Sequence, residues 1–308
     1  DAVMKTDIFA APSGRIVARS IVLLVANLPL AVLAGTPIDK RTAADPAGTV
    51  EISNTAGSVV VTGWDRNEVE VTGELGKGTE RLDFTRSDTV TRIKVILPDR
   101  SYNVDDTDLI VKVPAGSQVS INTVSADIGV QAVRGTQRLQ SVSGDLRTET
   151  SGEDLECRTV SGDVTIAGSG RKGLVSITTV SGNASATRLA GEVNGSTVSG
   201  DFTLAVGATS RSRLRSTSGN LTLQGSLAAD ARVDIESISG DVRLDLVGEV
   251  GADYDVASFS GEIRPCFGPK PVRTDEYAPG KEWRHQEANA SARVRIKTLS
   301  GDIGVCRR

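Results

Sequence analysis

The chain has 308 residues, a length that suggests one or two domains. Hydrophobic residues make up 38% and charged residues 24%, a composition that folds rather than remaining a disordered polyelectrolyte. Aromatic residues are only 3%, and His285 is the single histidine, so haem, His-ligated zinc or Ser-His-Asp chemistry would depend on one side chain. The formal net charge of −4 gives no general attraction to nucleic acid or anionic lipid.

The first 34 residues have the features of an export signal. Lys5, Arg15 and Arg19 precede an apolar run over residues 21–34, which is shorter than the roughly 20 residues needed to span a bilayer. Small or modest residues end the run, so we expect cleavage after position 34. The alternative is a buried helix or a membrane anchor. We therefore predict an exported mature chain, located in the periplasm, on the outer cell surface or outside the cell.

A Ser-Gly-Asp triplet, or a close variant, recurs every 18 to 21 residues from about residue 125 to residue 262, and once more at 300–302. A fixed period of this length indicates a repeat architecture. Ala126 opens the series, and its last interval is 40 residues, about twice the period. The central glycines, which we predict to be structural corners, are Gly144, Gly162, Gly182, Gly200, Gly219, Gly240, Gly261 and Gly301.

Positions counted from the central residue of each triplet form columns. Position −3 holds only Ser or Thr, and positions −5, −2, +2 and +4 are mostly apolar. The alternation at +2 and +4 predicts a strand with one buried face. Stacking such units in register would give rungs about 4.8 Å apart. We therefore predict an all-β protein, a β-solenoid of the right-handed parallel β-helix type with 18–21-residue rungs. The alternative is an antiparallel sandwich or roll.

The residues of the triplet suggest how each corner is built. Glycine would relieve the Cβ penalty of a positive φ, and the Asp or Asn beside it would bond neighbouring backbone N–H groups. The Ser/Thr column at −3 would form a hydroxyl ladder between rungs.

The repeat also divides the chain. Residues 1–34 form the predicted signal peptide and 35–47 a short linker. Residues 48–118 are predicted as an irregular N-terminal β region, and 119–308 as the regular solenoid. An excursion or end cap interrupts the solenoid at about 267–291.

Together with the row of corners, two segments resemble a known bacterial family. They are Val111-Lys-Val-Pro-Ala-Gly116 and the opening stretch from Val50 to Trp64 around Gly57. The chain is similar here to the DUF4097 β-strand-repeat family of candidate adhesins, over about residues 48–308. The resemblance implies an exported β-solenoid with an adhesin role, and it supplies no catalytic motif.

Cys266 and Cys306 both lie five residues after a corner glycine, in one outward column. If the two rungs are neighbours, their Cα atoms would be about 5 Å apart, within the range of a disulfide. An oxidising compartment permits that bond. The alternative is a pair of free or metal-binding thiols. Cys157 falls in the inward −5 column, where we expect a small buried hydrophobe.

Two other kinds of chemistry have weaker support. The stacked acidic column at +1 could bind Ca²⁺, although corner hydrogen bonding explains it better. Catalysis could use Asp105, Asp106 and Asp108, or His285 in the excursion. A solvated turn and a surface histidine are the simpler interpretations.

The sequence thus predicts an exported, non-enzymatic scaffold for adhesion or cell-envelope interactions, with no cofactor and no metal. Its expected partner is a surface or envelope protein or glycan, not nucleic acid. No transmembrane segment is predicted in the mature chain. The alternatives are a self-associating structural envelope protein and a polysaccharide-active β-helix enzyme.

Overall fold

The computed structural model describes residues 35–99, 104–275 and 279–308. The predicted signal peptide, residues 1–34, lies outside the described residues. In the described part of the chain all regular secondary structure is β-strand, which confirms the all-β prediction. No helix there is long and apolar enough to cross a membrane.

Twenty-two strands occur in these described ranges. They are β1 Thr36–Ala43, β2 Thr49–Trp64, β3 Glu68–Leu75, β4 Arg81–Ser87, β5 Val90–Ile96, β6 Thr107–Pro114, β7 Gln118–Gln131, β8 Gln137–Gln140, β9 Leu146–Thr150, β10 Leu155–Arg158, β11 Val164–Gly168, β12 Lys172–Thr178, β13 Ala184–Thr197, β14 Phe202–Ser216, β15 Leu221–Ser237, β16 Val242–Leu246, β17 Ala252–Ser258, β18 Ile263–Pro265, β19 Val272–Arg273, β20 Lys281–Gln286, β21 Ala292–Thr298 and β22 Ile303–Arg307.

Each repeat contributes two strand segments, which we call arm A before the corner and arm B after it. Arms of one kind pair in parallel from rung to rung. In arm A, Cys157 is opposite Leu139 and Ile177. In arm B, Val164 is opposite Leu146 and Ala184. The parallel stacking is that of a β-solenoid, and the antiparallel sandwich or roll is wrong for these rungs.

The spatial order of the rungs departs from the chain order at both ends. Strand β21 pairs with β15 on one side and with β17 on the other, and β22 lies likewise between β16 and β18. The Gly301 rung is therefore inserted between the Gly240 and Gly261 rungs. At the other end, β2 lies between the β5–β6 pair and β7.

Antiparallel strands cover both arms at the near end of the stack and arm A at the far end. Strand β4 pairs with β5, and β3 joins β6 to β1. At the far end β20 covers β17, and β19 covers β20. The excursion at 267–291 thus contains an ordered cap, in which Trp283 is buried.

Two of the predicted boundaries differ from the structure. Residues 35–47 are not a linker, because they contain β1; this edge strand buries Ile38 but has no second buried apolar side chain to create alternation. The region 48–118 is also more regular than predicted at its start. Strand β2 forms a complete rung around Gly57, with Ile52 and Val59 fully buried.

The core is filled by the inward columns of both arms. Ile121, Leu139 and Ile177 come from arm A, and Leu146 and Ile166 come from arm B; all five are essentially inaccessible to solvent. In one rung, glycine replaces the inward apolar residue of arm A, and a large side chain of arm B fills the space. A Cβ added at Gly195 would lie 2.4 Å from the ring of Phe202, so the large ring fills the space that the glycine leaves.

The corner glycines are required by close approach and not by positive φ. Positive φ values occur at other glycines, such as Gly57 at 103°, but at none of the eight predicted corners. A Cβ added at Gly182 would instead lie 1.9 Å from the carbonyl oxygen of Gly162, and one at Gly200 would lie 1.9 Å from that of Gly182. The expectation of a left-handed corner was wrong, because the steric conflict lies between rungs and not within the residue.

The cysteines occupy the positions that the repeat suggested. Cys266 and Cys306 are joined by a disulfide with Cα atoms 4.9 Å apart, just after β18 and within β22. The bond ties the outermost rung to the inserted one. Cys157 is a free, buried thiol whose pKa burial raises to about 12, so it stays protonated at neutral pH.

We expect Gly182→Ala to destabilise the fold by about 2–3 kcal/mol, because the new methyl group meets a backbone carbonyl that the ladders hold in place. Urea unfolding measures the loss. Gly304→Ala is the control, since a Cβ there meets nothing within 4 Å. Equal stability of the two variants would contradict the close-approach explanation.

We expect the double variant Cys266→Ser/Cys306→Ser to lose about 4 kcal/mol of unfolding free energy, because the disulfide spans 40 residues of chain. Urea unfolding with and without reductant measures it. The wild type in reductant should match the variant, and the variant itself should not respond. A reductant-insensitive wild type would show that the bond is absent or contributes nothing.

Candidate interaction surface along the Ser-Gly-Asp corner

The buried hydroxyl at −3 closes its own corner. The backbone N–H of Gly144 donates to the Oγ of Ser141 at 2.8 Å, and the N–H of Gly182 donates to the Oγ1 of Thr179 at 2.9 Å. The predicted hydroxyl ladder between rungs is therefore wrong for most of this column. An inter-rung bond occurs near the C-terminus, where Thr298 donates to the Oγ of Ser258 at 3.0 Å.

A hydroxyl ladder between rungs exists instead at position −1. The backbone N–H and the Oγ of Ser143 both donate to the carbonyl oxygen of Val124 on the preceding rung, at 2.9 and 3.3 Å. Ser199 repeats the arrangement on the carbonyl of Val180, at 2.8 and 3.3 Å. This serine therefore fixes the register between adjacent corners.

The acidic column at +1 forms a second ladder. The Oδ1 of Asp145 accepts the backbone N–H of Asp163 at 3.0 Å, and the Oδ1 of Asp163 accepts that of Asn183 at 2.8 Å. The same bond continues to the last rung, where Glu262 donates its N–H to Asp302 at 2.9 Å. Asp and Asn alternate freely because both supply Oδ1, and Glu is tolerated at the end because no further rung follows.

The other candidate residues do not form a catalytic site in the structure. Asp108 accepts the hydroxyl of Ser58 at 2.7 Å, and Asp105 and Asp106 are exposed. His285 is half-buried and packs among rings, with its centroid 5.7 Å from that of Trp283. Among the described residues, no group of three or more His, Cys, Asp or Glu side chains is placed to hold a metal ion.

Position −2 carries a row of exposed apolar side chains, which we call the corner ridge. Each member is between 41 and 57% exposed. In spatial order the ridge comprises Val124, Val142, Val160, Val180, Val198, Ile238, Leu299 and Phe259, and Thr217 takes the place between Val198 and Ile238. Nine rungs at about 4.8 Å make the ridge about 38 Å long.

The ridge was missed by the sequence reasoning although a signal for it was present. Positions −3 and −5 are buried, so period two places −2 and −4 on the outer side. The apolar column at −2 therefore lies on the outer side of the strand, and it indicates an exposed surface rather than core.

Negative charge borders the ridge. The +1 column adds a carboxylate on seven of the nine rungs, and each Oδ1 that serves the ladder leaves a second oxygen free for other contacts. Some are paired, as Asp145 is with Arg147 at 2.9 Å and Asp302 with Arg264 at 3.1 Å. The surface is thus an apolar line beside an acidic line.

Comparison with known proteins identifies the family. The family model described as Toastrack DUF4097 matches residues 38–306, so the chain belongs to the DUF4097 family. A search of curated proteins finds no match.

One solved structure shares the fold at low sequence identity. That structure, named "Putative lipid binding protein" from Parabacteroides distasonis, has a TM-score of 0.52 and 12% identity over 88% of this chain and 97% of its own. Another, named "a putative adhesin" from Parabacteroides merdae, has a TM-score of 0.45 and 9% identity over 89% of this chain and 97% of its own. At 12% identity the first likeness shows the fold alone.

We expect Asp163→Asn to leave stability within about 0.5 kcal/mol of wild type, because Oδ1 is kept. Asp163→Ala should lose about 1 kcal/mol, because the Asn183 N–H loses its acceptor. Thermal unfolding in CaCl₂ and in EDTA measures the stability of both variants and tests whether calcium binding stabilises the protein. Equal effects of Asn and Ala, or a midpoint raised by calcium, would contradict the ladder role.

Proposed function

We propose that this protein is an exported, non-enzymatic scaffold for adhesion or cell-envelope interactions, and that it binds a protein partner along the corner ridge. The observation that carries the proposal is the ridge itself. Eight apolar side chains are held in line at half exposure, while the hydrogen bonds at −3, −1 and +1 account for the stability of the corner without them.

The energetics favour a binding role for this row. Covering a half-exposed Val or Leu side chain contributes about 1 kcal/mol, so eight of them provide about 8 kcal/mol before the costs of association. Long, contiguous apolar surfaces of this kind are uncommon on monomeric proteins unless they bind something. The acidic border adds specificity for a partner whose apolar face is flanked by Lys or Arg, and it disfavours nucleic acid.

The sequence supports export, and the fold supports the scaffold role. The features of residues 1–34 are those of a cleavable signal, and the Cys266–Cys306 disulfide suits an oxidising compartment. The periplasm, the outer surface and the exterior all meet this condition. We assign the solenoid the right hand and a rung of 18–21 residues, since parallel crossovers are nearly always right-handed.

The two alternative functions receive less support. End-to-end stacking would use open strand edges. At the far end the outer strand β18 has three residues and ends at Pro265 and β19 has two, and at the near end the edge strands β1 and β4 carry charged side chains, all features that oppose edge pairing. A polysaccharide-active enzyme needs a placed acid–base pair, and the candidate carboxylates make structural contacts or are solvated.

We expect the triple variant Val142→Thr/Val160→Thr/Val180→Thr to remain folded, because Thr217 occupies the same column, and to lose capture of its partner from a bacterial envelope fraction. The control variant Val60→Thr/Ile110→Thr/Val247→Thr changes exposed residues away from the ridge and should retain capture. Thermal unfolding verifies that both variants are folded.

A photo-crosslinking residue at position 160 should give one defined adduct, and the same residue at position 60 should give none. Equal capture by both triple variants would refute the ridge as the binding surface. An adduct with a second copy of the chain would favour the self-associating structural protein. Turnover of a glycan would refute the non-enzymatic assignment.

A further inference from the structure

A groove of about 600 Å³ lies at the other end of arm B from the corner ridge. Its floor is built from small residues directly after successive arm B strands: Ala115 after β6, Ala132 after β7, Ser151 after β9 and Ser169 after β11. Together with the end of β2, five adjacent rungs contribute, which gives a length of about 19 Å.

Two arginines line this groove at equivalent places. Arg134 and Arg171 each follow the floor residue of their rung by two positions. They lie in the loops after β7 and β11, strands that are two rungs or about 10 Å apart. Both are exposed, and neither side chain has a hydrogen-bond or ion-pair partner within the described ranges. Glu153 occupies the corresponding place on the rung between them, but it neither lines the groove nor pairs with either arginine.

Trp64 lines the groove on the rung next to that of Ala115, and a third guanidinium, from a residue outside the lining, lies over its ring. The Arg66 guanidinium carbon lies over the Trp64 ring, 5.1 Å from its centroid. The Lys112 ammonium lies 5.5 Å from the same centroid, but Lys112 also bonds Glu70 at 2.8 Å, so its charge is balanced. Asp65 is a carboxylate that also lines the groove.

We propose that this groove binds an acidic glycan, with the carboxylates of alternate sugars on Arg134 and Arg171. Guanidinium groups recognise carboxylates by paired hydrogen bonds, and the two-rung spacing of about 10 Å between the backbones that carry the two arginines is comparable with the length of a disaccharide. Ser151, Ser169 and Asp65 offer partners for sugar hydroxyls. The lining has no row of exposed apolar side chains that could enter a bilayer, which favours a glycan over a lipid headgroup.

The test uses polygalacturonate as the probe and dextran as the neutral comparison, on the intact disulfide-bonded chain. We expect wild type to bind polygalacturonate in a salt-dependent way and not to bind dextran. Arg134→Ala/Arg171→Ala should weaken binding about tenfold or more, because two charge-assisted contacts are lost. Arg213→Ala/Arg293→Ala removes the same charge from exposed positions elsewhere and should change binding less than about twofold.

Further variants separate this site from the ridge and from general electrostatics. Arg134→Lys/Arg171→Lys keeps the charge and should still lose most of the affinity, because paired hydrogen bonding is lost. Trp64→Phe should abolish any fluorescence change on binding, while the ridge variant should bind the polymer like wild type. Absence of polygalacturonate binding, equal losses in both arginine pairs, or stronger groove-dependent binding to phosphatidylglycerol vesicles would overturn the proposal.

Discussion

The fold depends on how closely one corner approaches the next. The carbonyl oxygen of Gly162 lies where a Cβ of residue 182 would stand, and the same relation repeats along the stack. Only a residue without a side chain lets the backbones approach so closely. That approach brings the N–H of Ser181 within 2.9 Å of the carbonyl of Val160, and the N–H of Asn183 within 2.8 Å of the Asp163 carboxylate. The register between rungs, the hydrogen-bond ladder at +1 and the rung spacing therefore all depend on the same close approach of the corner backbones.

The same constraint determines what faces solvent. Once the hydroxyl at −3 is held inward by the glycine N–H, period two turns position −2 outward on every rung. A single row then repeats at the strand spacing, so side chains that are far apart in the chain become neighbours in a line. The buried core of arm A and arm B is built from other columns. The fold therefore does not require the ridge residues to be apolar.

The sequence predicted the parallel stacking of the rungs, but it missed the corner ridge and the features that occur once. The columns predicted the all-β parallel stack and the neighbouring placement of Cys266 and Cys306, because each rung repeats the same pattern. They could not reveal that β21 inserts between β15 and β17, since the parallel pairing there joins residues that are 61 and 40 positions apart in the chain, as Arg232 is from Arg293 and Ala252 is from Ala292. The strand at 36–43 was missed because one buried side chain makes no pattern. The φ of the corner glycines was predicted wrongly because two different constraints both require glycine. A left-handed backbone was expected, whereas the structure has a steric collision between rungs.

The nine rungs also provide an internal comparison of structure and function. At −3 Ser and Thr exchange and at +1 Asn and Asp exchange, and each exchange keeps the hydrogen bond. Position −1 is Ser on all nine rungs, and the one Glu at +1 lies on the outermost rung, where no acceptor is needed. At −2 no side-chain bond restricts the choice, and Thr217 shows that a hydroxyl fits. Eight of nine rungs nevertheless carry an apolar residue there, exposed at 41 to 57%. The contact with a partner's apolar surface that we propose would account for a position that is exposed and yet chemically uniform.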